Sequence, residues 1–158
     1  MEENFDRGIK IMQPQSVNDI KIAISQIIEQ IPCLKMLVLF GSRARGDYDE
    51  QSDWDFAVLY DKKLRKDDEK LDWDSFKLRI FLEKALNLPE DKIDLVDLET
   101  CSPWLKHVVA RDGEVLFQQE AEVFKQFYQS SLKSNIELKA YRQSVREKVK
   151  SALQRWRA

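Results

Sequence analysis

The apolar residues of this chain change rhythm several times, and each change marks a predicted element. Ser16 followed by Asp19 opens a helical pattern in which Ile20, Ile24, Ile27, Ile28 and Ile31 recur at helical spacing. Pro32 closes it, because its ring removes a backbone donor and restricts the residue before it. LKMLVLF, residues 34–40, is a short apolar run that reads as a buried strand and stops at Gly41-Ser42. A second strand, DWDFAVLY, covers residues 53–60 and is apolar on both faces beyond Asp55, as an interior strand should be. Residues 61–70 are almost wholly charged and read as a solvated loop. It leads into a helix over residues 69–86, with Trp73, Phe76 and Ile80 facing inward and Leu71 and Leu82 as further candidates.

Pro89 breaks that helix, and KIDLVDL, residues 92–98, forms a third strand. Ser102-Pro103 starts a short helix with a cap and a first-turn proline. Asp112-Gly113 is a turn, and EVLF is a fourth strand at a sheet edge. From Gln119 onward the chain becomes one or two helices, on a rhythm carried by Val123, Phe127, Leu132, Ile136, Tyr141, Val145, Val149, Leu153 and Trp156. The predicted fold class is mixed α/β: a small mixed sheet flanked by helices, with a helical tail. Residues 1–118 form the main domain, and residues 119–158 are a helical extension of it.

Composition narrows the chemistry. At 158 residues with 43% hydrophobic and 34% charged side chains, the chain can bury roughly 70% of its unfolded surface without a staple. A net charge of −2 predicts neither a nucleic-acid coat nor a membrane-surface role. No apolar run approaches the roughly 20 residues that span a bilayer, and MEENFDRGIKIMQ lacks the apolar stretch of a secretory signal. The expected location is the cytoplasm. Cys33 and Cys101 are too few for a disulfide framework and read as small buried hydrophobes. His107 is the only histidine and sits in the apolar stretch WLKHVV, so it reads as a packing residue and not as part of a serine–histidine–acid triad. Any catalysis must rest on carboxylates.

The segment LFGSRARGDYDEQSDWDFAVL, residues 39–59, supplies them. Side chains alternate along a strand, so Asp53 and Asp55 point to one face, roughly 6.6 Å apart along the backbone. Two carboxylates on one face of an apolar strand repel each other and are costly to desolvate. Mg2+, a hard cation that favours carboxylates together with phosphate oxygens, removes both penalties. Gly41 allows close approach of backbone to phosphate, and Ser42 adds a donor at a helix start. Arg43 and Arg45 are both near enough to neutralise phosphate charge, and the sequence does not distinguish which of them points inward.

Gly41-Ser42, ten residues, then Asp53-Trp54-Asp55 matches the GS-x10-DxD signature, and the chain resembles the DNA polymerase β-like nucleotidyltransferase superfamily over roughly residues 17–118. Its length and element order are similar to the minimal nucleotidyltransferases (MNT). The resemblance implies a third metal-binding carboxylate on the 92–98 strand. Asp94 is the positional match, and Asp97, three residues on, projects from the opposite face. Trp54 faces away from the acids and packs.

Minimal nucleotidyltransferases with a helical tail resemble the antitoxins encoded beside HEPN-domain RNase toxins. That resemblance implies AMP transfer from ATP to a tyrosine of the toxin. Asp53 and Asp55 would bind two Mg2+ ions, Asp94 would bind the catalytic ion and help take the tyrosine proton, and Gly41 and Ser42 would hold the terminal phosphates. No direct nucleic-acid or membrane binding is expected. The tail carries nine Lys or Arg against four Asp or Glu, which suits either a docking arm or a helix packed on its own domain. Two alternatives stand: transfer to a small molecule of the aminoglycoside type, and a non-catalytic antitoxin that acts by covering its partner.

Overall fold

The computed structural model describes residues 17–65 and 72–157. Four strands form one sheet: β1 (Leu34–Phe40), β2 (Trp54–Tyr60), β3 (Ile93–Asp97) and β4 (Glu114–Gln118). Their order across the sheet is β3-β2-β1-β4, with β1 antiparallel to both β2 and β4 and β2 parallel to β3. The two most apolar runs therefore occupy the centre, where both faces are covered. EVLF lies at an edge, as its sequence predicts.

Alternation along the central strands divides the core into two layers. Leu37, Leu39, Phe56 and Val58 point to one face and pack with Ile20, Ile24 and Ile27 of the N-terminal segment and with Leu78, Phe81 and Leu82. Those helices are α1 (Val17–Ser25) and α3 (Trp73–Leu86). Met36, Val38, Phe40 and Ala57 point to the other face, against Val109, Ala110, Val123 and Phe127. The latter come from α4 (Pro103–Asp112) and α5 (Val123–Ser131). Burying each such Val, Leu, Ile or Phe side chain contributes about 1.5–3 kcal/mol.

Helix α1 is shorter than its isoleucine pattern predicts. It ends at Ser25, whose Oγ donates to Ile22 O at 2.6 Å. The next amides bond three residues back, Gln26 N to Ala23 O and Ile27 N to Ile24 O, so the chain tightens into a 3-10 turn over Ile28–Gln30. Ile27 and Ile31 are still buried, while Ile28 is half-buried.

The predicted inward face of α3 is corrected. Trp73 and Phe76 are about half exposed, and Ile80 is half-buried. The buried stripe is Leu78, Phe81, Leu82, Ala85 and Leu86. Both sets keep helical spacing, and the longer apolar stripe decides the rotation because it buries more continuous surface. The helix starts at Trp73, with Asp72 accepting from Ser75 N at 3.2 Å. It ends at Asn87, in the left-handed conformation with φ 49°. Ser16, Leu71, residues 69–70 of the expected helix and residues 66–70 of the charged loop lie outside the described residues.

Ser102 caps α4 by accepting from Leu105 N at 3.2 Å, with Pro103 in the first turn. Two helices follow β4. Helix α5 buries Val123 and Phe127, whereas α6 (Asn135–Arg157) buries no residue. Among the described residues, no helix is long and apolar enough to cross a membrane.

Candidate active site

The first strand delivers the chain to the site through a short helix, α2 (Gly41–Arg45). Gly41 has φ +73°, a region other residues rarely adopt. Phe40 precedes it in extended conformation and offers no side-chain cap. Gly46, at φ 83°, ends the turn: its N–H and that of Asp47 both donate to Ser42 O, at 2.9 and 3.2 Å. Ser42 is half-buried in the first turn.

Sheet register then brings the acids to this turn. Asp55 is the Cα partner of Phe40 on β1 and of Asp94 on β3. Directly opposed residues on neighbouring strands share a face, so Asp55 and Asp94 point the same way. That face is the one on which Ala57 packs with α4 and α5. Asp53, two residues before Asp55, lies just ahead of β2 and is half exposed, and Asp94 is exposed. The Asp55 carboxyl is raised above its ordinary value, first by burial and then by the charges of Asp94 and Asp53, with Arg45 opposing. Asp94 and Asp53 thus both act on the Asp55 carboxyl beside Gly41.

Asp97 lies on the other face. It accepts from Arg65 Nη1 at 2.8 Å and from Glu99 N at 2.9 Å, which makes it a loop anchor. Trp54 also points away from the acids, stacking on Phe56 with ring centroids 6.3 Å apart.

The two arginines of α2 separate along the same division. Arg43 donates to Ser52 O from Nε and Nη2, at 3.2 and 2.9 Å. Its guanidinium lies 4.3 Å from the Trp54 ring and 4.7 Å from Tyr48. It therefore ties α2 to the loop before β2. That loop is tightened further by Asp49, whose Oδ1 accepts from Gln51 N and Ser52 Oγ, and these bonds hold its carboxyl below the ordinary value. Arg45 instead lies on the carboxylate side, with Nη1 at 3.5 Å from Asp112 Oδ2 and Nε at 3.3 Å from Asp47 Oδ2.

Three neighbours escape a reading by sequence. Asp112, read there as part of a turn, is the last residue of α4; it receives two bonds of 2.7 Å from Arg111 besides reaching Arg45. Lys92 Nζ donates to Gln51 O at 2.9 Å and lies 3.9 Å from Asp53 Oδ1. Arg79 Nη1 donates to Ile93 O at 2.6 Å, bracing the strand one residue before Asp94. A lone basic residue in a charged stretch carries no signal of such a role.

His107 is buried, and its Nδ1 accepts from Lys133 N at 3.0 Å. It is a packing residue far in role from a catalytic triad. Cys33 is fully buried, and burial pushes its thiol up to about 12. Cys101 is half-buried, a partial departure from the buried state expected of it.

As a donor set, Asp53, Asp55 and Asp94 suit a hard divalent cation: all are oxygen ligands, and the Asp55 carboxyl is raised by burial and then by the charges of Asp94 and Asp53, both penalties that a cation would offset. Among the described residues, no three acidic, histidine or cysteine side chains are drawn into a closed ligand cluster.

Comparison with known proteins identifies the family. The family described as "Polymerase beta, Nucleotidyltransferase" matches residues 22–122. The chain is 42% identical over 132 residues to a protein adenylyltransferase MntA of Aphanizomenon flos-aquae, covering 83% of this chain and 88% of that one. It is 33% identical over 112 residues to a protein adenylyltransferase MntA of Shewanella oneidensis, covering 70% and 73%. A crystal structure of a toxin–antitoxin with AMP-PNP contains a chain that superposes with a TM-score of 0.61 at 30% identity, covering 84% of this chain and 98% of that one. An antitoxin complex with the tri-AMPylated Shewanella oneidensis HEPN toxin gives a TM-score of 0.58 at 25% identity, covering 85% and 98%. The glycine–serine turn, Asp53 just ahead of β2, Asp55 within it and Asp94 of β3 thus sit in a polymerase beta-type nucleotidyltransferase fold, and the chain belongs to that family and, within it, to the MntA-type minimal nucleotidyltransferases.

Proposed function

We propose that this chain is a Mg2+-dependent protein adenylyltransferase that transfers AMP from ATP to a tyrosine of a cognate HEPN toxin and so neutralises it. The observation that carries the reading is the register of three strands, which aligns Phe40, Asp55 and Asp94 and sets two acids beside the Gly41 turn. The similarity to MntA protein adenylyltransferases supports the reaction class, and the AMPylated toxin in the complex of a structural relative supports the acceptor.

Asp53, Asp55 and Asp94 would hold the metal, two Mg2+ ions in all, with Asp94 as a ligand of the catalytic ion. When bound, the metal neutralises phosphate charge and lowers the barrier to displacement. Gly41 and Ser42 receive the terminal phosphates through backbone N–H groups and the serine hydroxyl. Arg45, on the acid side, adds positive charge there, while Arg43 braces the loop that presents Asp53. The tyrosine oxygen attacks the α-phosphorus, the bond to the β-phosphate bridging oxygen breaks, and pyrophosphate leaves. Asp94 helps remove the tyrosine proton. The added nucleotide places bulk and negative charge where the toxin must bind an RNA phosphate. Such a reaction belongs in the cytoplasm, where ATP and RNA meet.

The test combines the chain with labelled ATP, Mg2+ and the product of the adjacent gene, followed by intact mass spectrometry of that product. Whole AMP units gained on tyrosine support the proposal. A stable complex with no mass change would replace it with neutralisation by covering, and label appearing only on an added aminoglycoside would replace it with a small-molecule transferase.

A further inference from the structure

Helix α6 leaves the domain after its first turns. Lys133 N–H is held by His107, the Arg142 guanidinium lies 5.2 Å from the Trp104 ring, and Leu138 and Tyr141 are half-buried. From Arg142 to Arg157 every residue is exposed. Yet the helix is amphipathic. Val145, Val149, Leu153 and Trp156 follow one another at three- and four-residue steps, and their exposures are 40, 53, 58 and 94%. Arg146, Lys150 and Arg157 border the same face. Helices draw most of their stability from burying an apolar stripe, so a 23-residue helix with its stripe in water is built for a partner.

Charge identifies what that partner presents. Helix α6 carries seven Lys or Arg and two Glu, a net +5, while the rest of the chain carries 19 basic and 26 acidic residues, a net −7. Two such helices from two copies would repel each other side by side. A nucleic acid would be satisfied by the basic residues alone and gives no role to a Val-Val-Leu-Trp row. A protein face that is apolar at its centre and acidic at its rim matches both features.

We propose that α6 is the arm by which this chain docks the protein it modifies, through Val145, Val149, Leu153 and Trp156 against an apolar face rimmed by acidic side chains. The inference rests on the reading that the acceptor is a protein. It adds that acceptor capture and chemistry reside on separate parts of the chain: the arm sets affinity for the toxin, and the acids set turnover.

The test uses the full-length chain and the cognate toxin. Val149→Glu combined with Leu153→Glu should leave the thermal melt of the domain in place, since neither residue is buried. Toxin affinity, measured by calorimetry, should fall at least ~10-fold. The KM for toxin should rise by a similar factor, with kcat and the KM for ATP unchanged. Arg146→Glu combined with Lys150→Glu should weaken binding and flatten its salt dependence. Asp55→Asn should bind toxin normally and transfer nothing, which separates docking from catalysis. Wild-type affinity and KM in the Val149/Leu153 double variant would overturn the docking role even if AMP transfer proceeds. So would an arm that binds an RNA oligonucleotide and leaves toxin binding unaffected when mutated. Normal docking with no transfer by the wild-type chain would instead overturn the adenylyltransferase reading and leave the arm standing.

Discussion

Asp55 sets its carboxylate against the bare Cα of Gly41: a Cβ at that position would overlap Asp55 Oδ2 and come within 3.0 Å of Cγ. Gly41 directly follows β1 and Asp55 lies on the adjacent strand β2, and the Phe40–Asp55 pairing is what brings them together. Glycine is therefore needed twice, for the positive φ and for the space.

Gly41→Ala should accordingly impair both fold and chemistry. Forcing a positive φ on alanine costs about 1–2 kcal/mol, and a displacement of Asp55 by about 1 Å can cost 100-fold in rate. A thermal melt together with initial rates of AMP transfer checks this. Wild-type rates in the alanine variant would show that Asp55 has freedom the packing denies it.

Asp55 also sets a pH dependence. Its carboxyl is raised by burial and by Asp94 and Asp53, so the folded chain retains a proton that the unfolded chain has released. Stability from this group falls as pH rises from the ordinary carboxylate value, 3.8, through the raised one, and the full penalty persists above it. Asp55→Asn should therefore stabilise the metal-free chain at neutral pH, by about 0.5–2 kcal/mol, the range of a relieved functional site. The gain should vanish below the ordinary value. Mg2+ should shrink it by stabilising the wild type alone. Melts in chelator and in Mg2+ across pH measure the difference.

The two arginines of α2 should give different phenotypes. Arg43→Ala removes two hydrogen bonds to Ser52 O and the contacts with Tyr48 and Trp54, so its melt should fall by about 1–3 kcal/mol. Arg45→Ala, more exposed and on the acid side, should melt normally and raise the KM for ATP about 10-fold, as expected for one lost charge-assisted contact. Steady-state kinetics beside melts separates the two. Reversed phenotypes would exchange their roles.

In α3, Phe81→Ala should cost about 3–5 kcal/mol, whereas Phe76→Ala should stay within about 0.5 kcal/mol. Phe81 is fully buried and Phe76 is 53% exposed. Equal losses in denaturant melts would restore the face that the sequence pattern favours.

That helix shows where sequence runs out. The four strands are legible because their apolar runs are short and bounded by glycine, proline and charge, and the interior placement of β1 and β2 follows from two apolar faces. The turn at Gly41 and the convergence of Asp55 with Asp94 are legible through strand periodicity and family resemblance. In α3, Trp73-Phe76-Ile80 and Leu78-Phe81-Leu82-Ala85 both fit a helical period, and only packing against β1 and β2 chooses between them. Likewise, the stripe of α6 reads the same whether its own domain or a partner covers it. Helix α1 stops at Ser25, where the next backbone amides bond three residues back, a change that an apolar pattern does not register. Arg43 and Arg45 cannot be told apart from sequence, because their directions depend on Ser52 and Asp112 across the fold.

The central claim is that Asp53, Asp55 and Asp94 act together on one face, and β3 offers an internal control. Asp94 pairs with Asp55, while Asp97 on the opposite face is held by Arg65. The most direct measurement is AMP transfer to the toxin, read by intact mass at saturating Mg2+ and ATP, for Asp94→Asn beside Asp97→Asn. The expected result is a loss of at least ~100-fold for Asp94→Asn, about 3 kcal/mol of barrier, and a change within about threefold for Asp97→Asn. Near-wild-type transfer by the Asp94 variant, or collapse in the Asp97 variant alone with its fold intact, would contradict it.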